Sequence, residues 1–306
     1  QSYFEVLMAQ DSVQLTEAQK KAISEQLEQA KRNFEVGTST ITDTYEAQAR
    51  YDLVVAQEIT AQSNLEIKQR SLQQITNSAS VDLRQLGKGL SLDAPQPSDV
   101  EKWVENAQQH NLQVAIAAAA AELADKEVSR TMGGHLPTLD LVANYTKNSS
   151  NGGTFTGTGY GSAETTSKVV GVQFNLPLFQ GGATQSKYRE AEAGRDKARQ
   201  DLENTRRTVA VQTRQAYLGV ANGIAQVKAL QQALKSSESL LEASKLGQGV
   251  GVRTNLDVLN AQQQLFSTRR DLYQAEYNYL LSRLRLKAAV GMLAEEDLDS
   301  VNQALR

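Results

Sequence analysis

Apolar side chains recur every seven residues between Asn255 and Val290. Val258, Leu265, Leu272, Tyr279 and Leu286 form one column, and Leu259, Phe266, Tyr273 and Leu280 form a second beside it. A third column is small: Ala261, Thr268, Ala275, Ser282 and Ala289. A strict seven-residue repeat implies a helix supercoiled against a neighbour. Two adjacent large columns make the seam wider than a simple pair requires, so this helix is expected to have neighbours on both sides. Ahead of it, Ala183 to Leu246 contains no proline and only Gly194, Gly219 and Gly223 as glycines. A helix of that span is on the order of 95 Å long. Tyr217, Val220, Ile224, Val227, Leu230 and Leu234 recur at steps of three and four and mark its buried seam.

The chain also matches itself without gaps at an offset of 214 residues, which places Gln1 on Gln215, Tyr3 on Tyr217 and Leu27 on Leu241. The densest agreement brings Val36, Gly37, Thr40, Asp43, Ala47 and Gln48 onto Val250, Gly251, Thr254, Asp257, Ala261 and Gln262. This cluster falls where both copies break and restart a helix, which shared composition alone would not produce. Duplication explains it, and residues 1–34 and 42–76 become the equivalent helical pair. A helix, an alternating segment pair and much of a long helix precede Gln215, with no counterpart ahead of Gln1. The sequence therefore reads as a mature fragment that opens inside its first copy.

Between the copies the period changes twice. Residues 87–111, with Pro95 and Pro97, predict a loop and a short helix in which Trp103 packs locally. An alanine-rich helix from Leu112 to Met132 follows, stopped by Gly133-Gly134. Pro137 to Lys147 then alternates, with Leu139, Leu141, Ala143 and Tyr145 on one side. Lys168 to Phe179 alternates again, with Val170, Val172, Phe174, Leu176 and Leu178 together. Each segment is about the 9–11 residues with which a tilted strand crosses a bilayer. An amphipathic hairpin in a soluble protein would show the same alternation, but between helices of this length it has few soluble uses. The expected organisation is a helical pair (1–86), a side region (87–111), a helix (112–136), a hairpin (137–179) with a polar loop (148–167), a second long pair (180–291) and a terminal segment (292–306). Pro177 is expected to mark the passage from strand to helix.

Composition narrows the class. Aromatic residues make up 6% of the chain and proline occurs four times, a mixture that favours long helices over an ordinary globule. A formal net charge of −3 lacks the basic pull of a nucleic-acid binder. With no cysteine, disulfides and thiolate metal sites are excluded. The longest apolar run, Val114 to Ala121, is far shorter than the roughly 20 residues of a membrane-spanning helix. His110 and His135 are the only histidines and sit in no ligand pattern, His135 reading as a turn residue and His110 as a surface one. The glycine pairs beginning at Gly152 and Gly181 lack the context of a phosphate loop. No cofactor and no enzyme site is expected.

The ordered set of motifs resembles the TolC family of Gram-negative outer-membrane efflux and secretion channels. It consists of Gly134-His-Leu-Pro-Thr-Leu-Asp-Leu141, Phe174-Asn-Leu-Pro-Leu-Phe-Gln-Gly-Gly182, Val36-Gly37, Val250 to Ala261, Leu284 to Gly291, and Glu295 to Leu298. The resemblance implies a mainly α protein: long antiparallel coiled-coil helices form a periplasmic α-barrel, and β-hairpins contribute to a trimeric transmembrane β-barrel. It also implies a homotrimer set in outer-membrane lipid, docked to a periplasmic adaptor and an inner-membrane pump of the RND, MFS or ABC type. The family places four strands per subunit in its barrel, and this chain supplies two, too few to close a wide channel by itself. A coiled-coil structural protein of the envelope without transport is the competing class.

Thr40-x-x-Asp43 and Thr254-x-x-Asp257 have the spacing of helix N-terminal caps. The resemblance adds a second role. It implies that the Val36-Gly37 and Val250-Gly251 turns lie together at the adaptor-docking tip, which closes the duct like an iris. Arg253 would latch onto Thr42 and Asp43, with Gln248 where the family has an aromatic partner. Asp257 and Asn260 occupy the two positions of the pore constriction, where the family carries two acidic rings. Asn260 leaves the second ring uncharged. Latching and capping are expected to coexist only if the aspartates can leave their caps.

Overall fold

The computed structural model describes residues 1–77, 83, 86–87, 90–150, 154–155, 158–159 and 163–305. The chain divides into two compact units, Gln1–Asn111 with Thr208–Arg306, and Leu112–Arg207.

The first unit is helical. α1 (Ser2–Glu35) and α2 (Ile41–Thr76) form an antiparallel pair. α3 (Val100–His110) packs on α6 (Asn255–Val290), as do α1 and α2. α5 (Ala183–Gly249) enters this unit from Thr208 onward, and α7 (Glu295–Ala304) follows α6. The heptad columns of α6 take the role the sequence assigns them. Val258, Leu265, Leu272, Tyr279 and Leu286 are all buried, as are Leu259, Phe266 and Leu280. Of the small column, Ala261, Thr268 and Ala275 are buried. One core cluster joins all three pairing helices, with Leu27 and Ala30 from α1, Ala47 from α2 and Leu259 from α6, and Tyr51 packed against it.

The α5 seam is smaller and more polar than its apolar spacing implies. Val209, Val220 and Val227 are buried, but so are Thr213, Ser237 and Ser244. Gly223 lies against Tyr279 and Gly219 against Ser282, where α5 faces α6. Ser237 Oγ and Thr268 Oγ1 meet at 3.5 Å in the buried seam, and Arg269 donates to Glu238 at 2.9 Å on its rim.

Two fully buried tyrosines pin the upper end of α6, and each hydroxyl needs a partner there. Tyr277 donates to Asp11 Oδ2 at 2.6 Å and stacks at a tilt on Phe4, with ring centroids 5.9 Å apart. Tyr279 donates to the Asp93 carbonyl at 3.0 Å. The side region is held locally, as expected: Trp103 is buried and donates from Nε1 to the Pro97 carbonyl at 2.8 Å. His110 is exposed, and its Nδ1 lies 3.0 Å from the Asn106 carbonyl.

The second unit holds α4 (Leu112–Met132), a short turn at Gly133–His135, a hairpin and the first part of α5. Arg199 on α5 donates to Asp125 on α4 at 2.9 Å. The hairpin pairs β1 (Thr138–Ser150) with β4 (Ala163–Asn175) antiparallel, in a register that sets Leu139 on Phe174, Leu141 on Val172 and Ala143 on Val170. β2 (Thr154–Phe155) and β3 (Thr158–Gly159) form a small separate ladder.

The strands differ from expectation at both ends. They run further into the polar segment, to Ser150 and back to Ala163, because ladder hydrogen bonds hold residues whose own strand preference is weak. The rest of the expected loop (151–153, 156–157 and 160–162, with Gly152) lies outside the described residues, as do 78–82, 84–85 and 88–89 of the linker. β4 stops at Asn175, two residues before Pro177, and leaves Leu178 and Phe179 outside the ladder and exposed. Proline cannot donate to a ladder, so pairing ends ahead of it.

No described helix is long and apolar enough to cross a membrane. The hairpin's apolar face is uncovered: Leu139, Leu141, Tyr145, Val170, Val172 and Phe174 are each between 64% and 78% exposed.

Candidate functional site

The candidate site is the pair of turns joining α1 to α2 and α5 to α6. Both are built alike. Each helix ends on a Val-Gly pair whose glycine takes positive φ, +75° at Gly37 and +79° at Gly251. Glycine adopts that conformation without the steric cost a Cβ would bring. Each following helix then starts with a capping box, Thr40 with Asp43 and Thr254 with Asp257. The reciprocal bonds satisfy amide groups that a helix start leaves unpaired.

The distribution of these bonds decides what the aspartates can still do. Asp43 Oδ2 accepts from Ser39 Oγ at 2.5 Å, from the Thr40 amide at 3.0 Å and from Thr40 Oγ1 at 2.8 Å. Asp257 Oδ2 accepts from the Thr254 amide and from Thr254 Oγ1, both at 2.9 Å. Every one of these bonds falls on Oδ2. Oδ1 of Asp43 carries none among the described residues, so capping occupies one oxygen and leaves the other open. The bonds also keep both carboxylates ionised. Ser39 and the Thr40 amide hold Asp43 below the usual range, and the Thr254 amide and hydroxyl do the same for Asp257.

Arg253 does not reach Thr42 or Asp43 within one chain. Its Nη1 lies 3.7 Å from Asp257 Oδ1, four residues on across the N-terminal cap of α6, and both groups are partly open to solvent. Thr42 Oγ1 meets Thr40 Oγ1 at 2.6 Å. Gln248 Nε2 donates to Asn255 Oδ1 at 3.3 Å, which ties the end of α5 to the start of α6. Val36 and Val250 are 72% and 77% exposed, so the turns present bare apolar side chains at the tip.

Two residues of the site were not singled out from the sequence. Gly247 lies beneath Arg253: a Cβ there would meet Arg253 Cγ at 2.7 Å, so the glycine makes room for the arginine stem. Its carbonyl also accepts from the Val252 and Arg253 amides at 2.9 and 3.1 Å. Arg50 on α2 donates from Nη2 to Asn260 Oδ1 and from Nη1 to Gln263 Oε1, both at 2.6 Å, which joins α2 to α6. A signal for Gly247 is present in the sequence, a glycine one turn before the Val-Gly break. Arg50 offers none, because its partners are more than 200 positions away.

A groove of about 630 Å³ runs between α1, α2 and α6, lined by polar residues such as Thr16, Gln57 and Asn64 together with Leu15 and Phe266. Among the described residues no group of histidine, cysteine, aspartate or glutamate could hold a metal ion.

Helical pairs with capped Val-Gly tips and an uncovered hairpin define the architecture, and comparison with known proteins supplies the family. The outer membrane efflux protein family matches residues 1–78 and 103–292, and the chain belongs to it. It is 36% identical to outer membrane protein TolC of Escherichia coli (strain K12), over 99% of this chain and 62% of that protein. It is 34% identical to the alkaline protease secretion protein AprF of Pseudomonas aeruginosa, over 98% of this chain and 62% of that protein. The chain thus spans a little under two thirds of the length of these relatives. The crystal structure of the outer membrane protein VceC from Vibrio cholerae shares the fold, with a TM-score of 0.77 at 19% identity, over 95% of this chain and 68% of that one.

Proposed function

We propose that the protein carrying this chain is a homotrimeric exit duct in the outer membrane of a Gram-negative cell, a passive conduit with no catalytic role. The observation that carries this is the hairpin. Its 13-residue strands are long enough to cross a bilayer obliquely, and its apolar face is left without any cover in the chain. Lipid is the occupant that such a face fits, and closure with strands from further copies removes its unpaired edges. The helical pairs then extend the duct into the periplasm, and the exposed valines of the two tips offer docking points to a periplasmic adaptor. An energised inner-membrane pump would drive export; the family is named for efflux, and the name of AprF indicates protease secretion for that relative.

The tip acts as the gate in this proposal. Arg253 of one copy reaches Asp43 Oδ1 and Thr42 Oγ1 of the next, while Asp43 Oδ2 keeps its cap. A guanidinium binds a carboxylate directionally, which suits a latch. Exposed pairs of this kind contribute about 0.2–1 kcal/mol each, so a threefold set is weak enough for a partner to open. Gln248 holds the turn that carries Arg253, and Asp257 lines the constriction with Asn260 one turn further on.

Planar-bilayer recording of the full-length protein tests this, with its oligomeric state measured in detergent. Defined channels from a trimer are expected. Arg253→Ala is expected to raise the resting conductance severalfold, and Asp257→Asn to lower the preference for cations. No channels, or no trimer, would overturn the duct. Channels whose resting conductance is indifferent to Arg253→Ala would remove the latch alone.

A further inference from the structure

Where the resemblance implies a second ring of carboxylates, this chain has Asn260, and the structure gives that amide a cationic partner. Arg50 spans a turn of α6 with its two arms, binding Asn260 Oδ1 and Gln263 Oε1 at 2.6 Å each. The geometry is that of a planar fork placed on two acceptors, a use that suits arginine better than lysine. Both acceptors are neutral. Among the described residues no carboxylate forms an ion pair with Arg50, although the exposed Glu46 stands one turn before it on α2.

The charge of Arg50 is therefore presented uncompensated at the level of Asn260. Asp257, on the same helix, is one turn away and ionised. One helical turn is about 5.4 Å. Counterions screen over about 8–10 Å, so the two charges act on a passing ion together.

We propose that Arg50 is a specificity-determining residue of the constriction. It offsets the Asp257 carboxylate, so the passage discriminates weakly between cations and anions, and it ties α2 to α6 beside the gate. This rests on the assignment of Asp257 and Asn260 to the constriction. The tie is intramolecular, so it is present in each copy before any neighbour is engaged. That distinguishes it from the Arg253 latch.

The test measures reversal potential in a potassium chloride gradient with full-length protein in planar bilayers, and block by spermidine added from the tip side. Arg50→Gln should move the reversal potential toward that of potassium and lower the blocking concentration by about tenfold, which corresponds to about 1.4 kcal/mol. Arg50→Lys keeps the charge and should restore wild-type selectivity, while its single ammonium ties the helices less well and resting conductance rises. Asn260→Asp should increase cation preference more in the Arg50→Gln background than alone, because Arg50 neutralises the new carboxylate. Selectivity unchanged in Arg50→Gln would overturn the proposal. So would Arg50→Lys behaving as Arg50→Gln, since the effect would then be geometric. Wild-type protein that forms no channels would bring down the duct assignment instead, an outcome distinct from channels of unaltered selectivity.

Discussion

Replacing Gly291 with alanine is expected to lower the thermal midpoint of the detergent-purified full-length protein by roughly 2–5 °C. Gly291 ends α6 in the left-handed conformation, at φ +80°, and its amide donates to the Ala288 carbonyl. A side chain in that conformation costs about 1–2 kcal/mol. The position is also crowded. A Cβ there would stand 2.4 Å from the His110 carbonyl oxygen and 3.0 Å from its carbon, both backbone atoms at the end of α3. Backbone cannot rotate aside as a side chain can, so α3 must shift against α6, which adds about 1–3 kcal/mol. Asn111 resists that shift by donating from Nδ2 to the Ala289 carbonyl at 2.7 Å. Gly249→Ala is the control, because that glycine has open space around it and no positive φ. Equal midpoints for the two variants would refute the close approach of α3 to α6.

Stability should also fall as pH rises from about 4.5 to 7, and Glu276→Gln should flatten that slope. Glu276 is half-buried where α1 and α6 meet, and burial together with the nearby Asp11 carboxylate pushes its pKa up to about 7. Burial raises Asp11 as well, while the hydrogen bond from Tyr277 works in the opposite direction. The folded state thus binds more protons than the unfolded one between the two pKa values of Glu276. Stability is fully present below the unfolded value and is lost as pH passes through the folded one. Allowing for the part of the side chain still open to water, the loss is roughly 1–2 kcal/mol. Denaturation of wild type and Glu276→Gln at pH 5.5 and pH 8 would show it. The variant should gain on wild type at pH 8 and gain less at pH 5.5. The same difference at both values would mean that the acid does not titrate in this window.

The helical frame was largely legible because its signals are local and repeated. The α6 columns name their buried residues directly, and helix bounds follow from Thr254 and Gly291, whose capping roles depend only on neighbours in the chain. Alternation identified the hairpin and its apolar side, but not its ends. Asn148 to Ser150, with Ala163, Glu164 and Ser167, have little strand preference, and it is their cross-strand partners that hold them in the ladder.

The paired turns were legible in their parts and not in their connections. Thr-x-x-Asp is visible at Thr40 and Thr254 because cap and acid lie three residues apart. Which oxygen does the capping is a matter of side-chain rotation, and no sequence pattern encodes it. For Asp43, only Oδ2 takes part in the cap. Arg253 shows the limit in another way, since its contact within one chain is Asp257, four residues on across the helix cap.

By itself, then, the sequence determined the elements: two capped helical pairs from a duplicated plan, a wide α6 seam and an amphipathic hairpin. Each of these rests on interactions within a few residues or on a period of two, three and a half or seven. Only the tertiary structure decided that Arg50 grips Asn260 and Gln263, that Gly247 seats Arg253, and that Tyr277 carries Asp11 inward beside Glu276. Those pairings join distant stretches of chain, and they depend on how far the helices slide and rotate against one another, which no local pattern specifies.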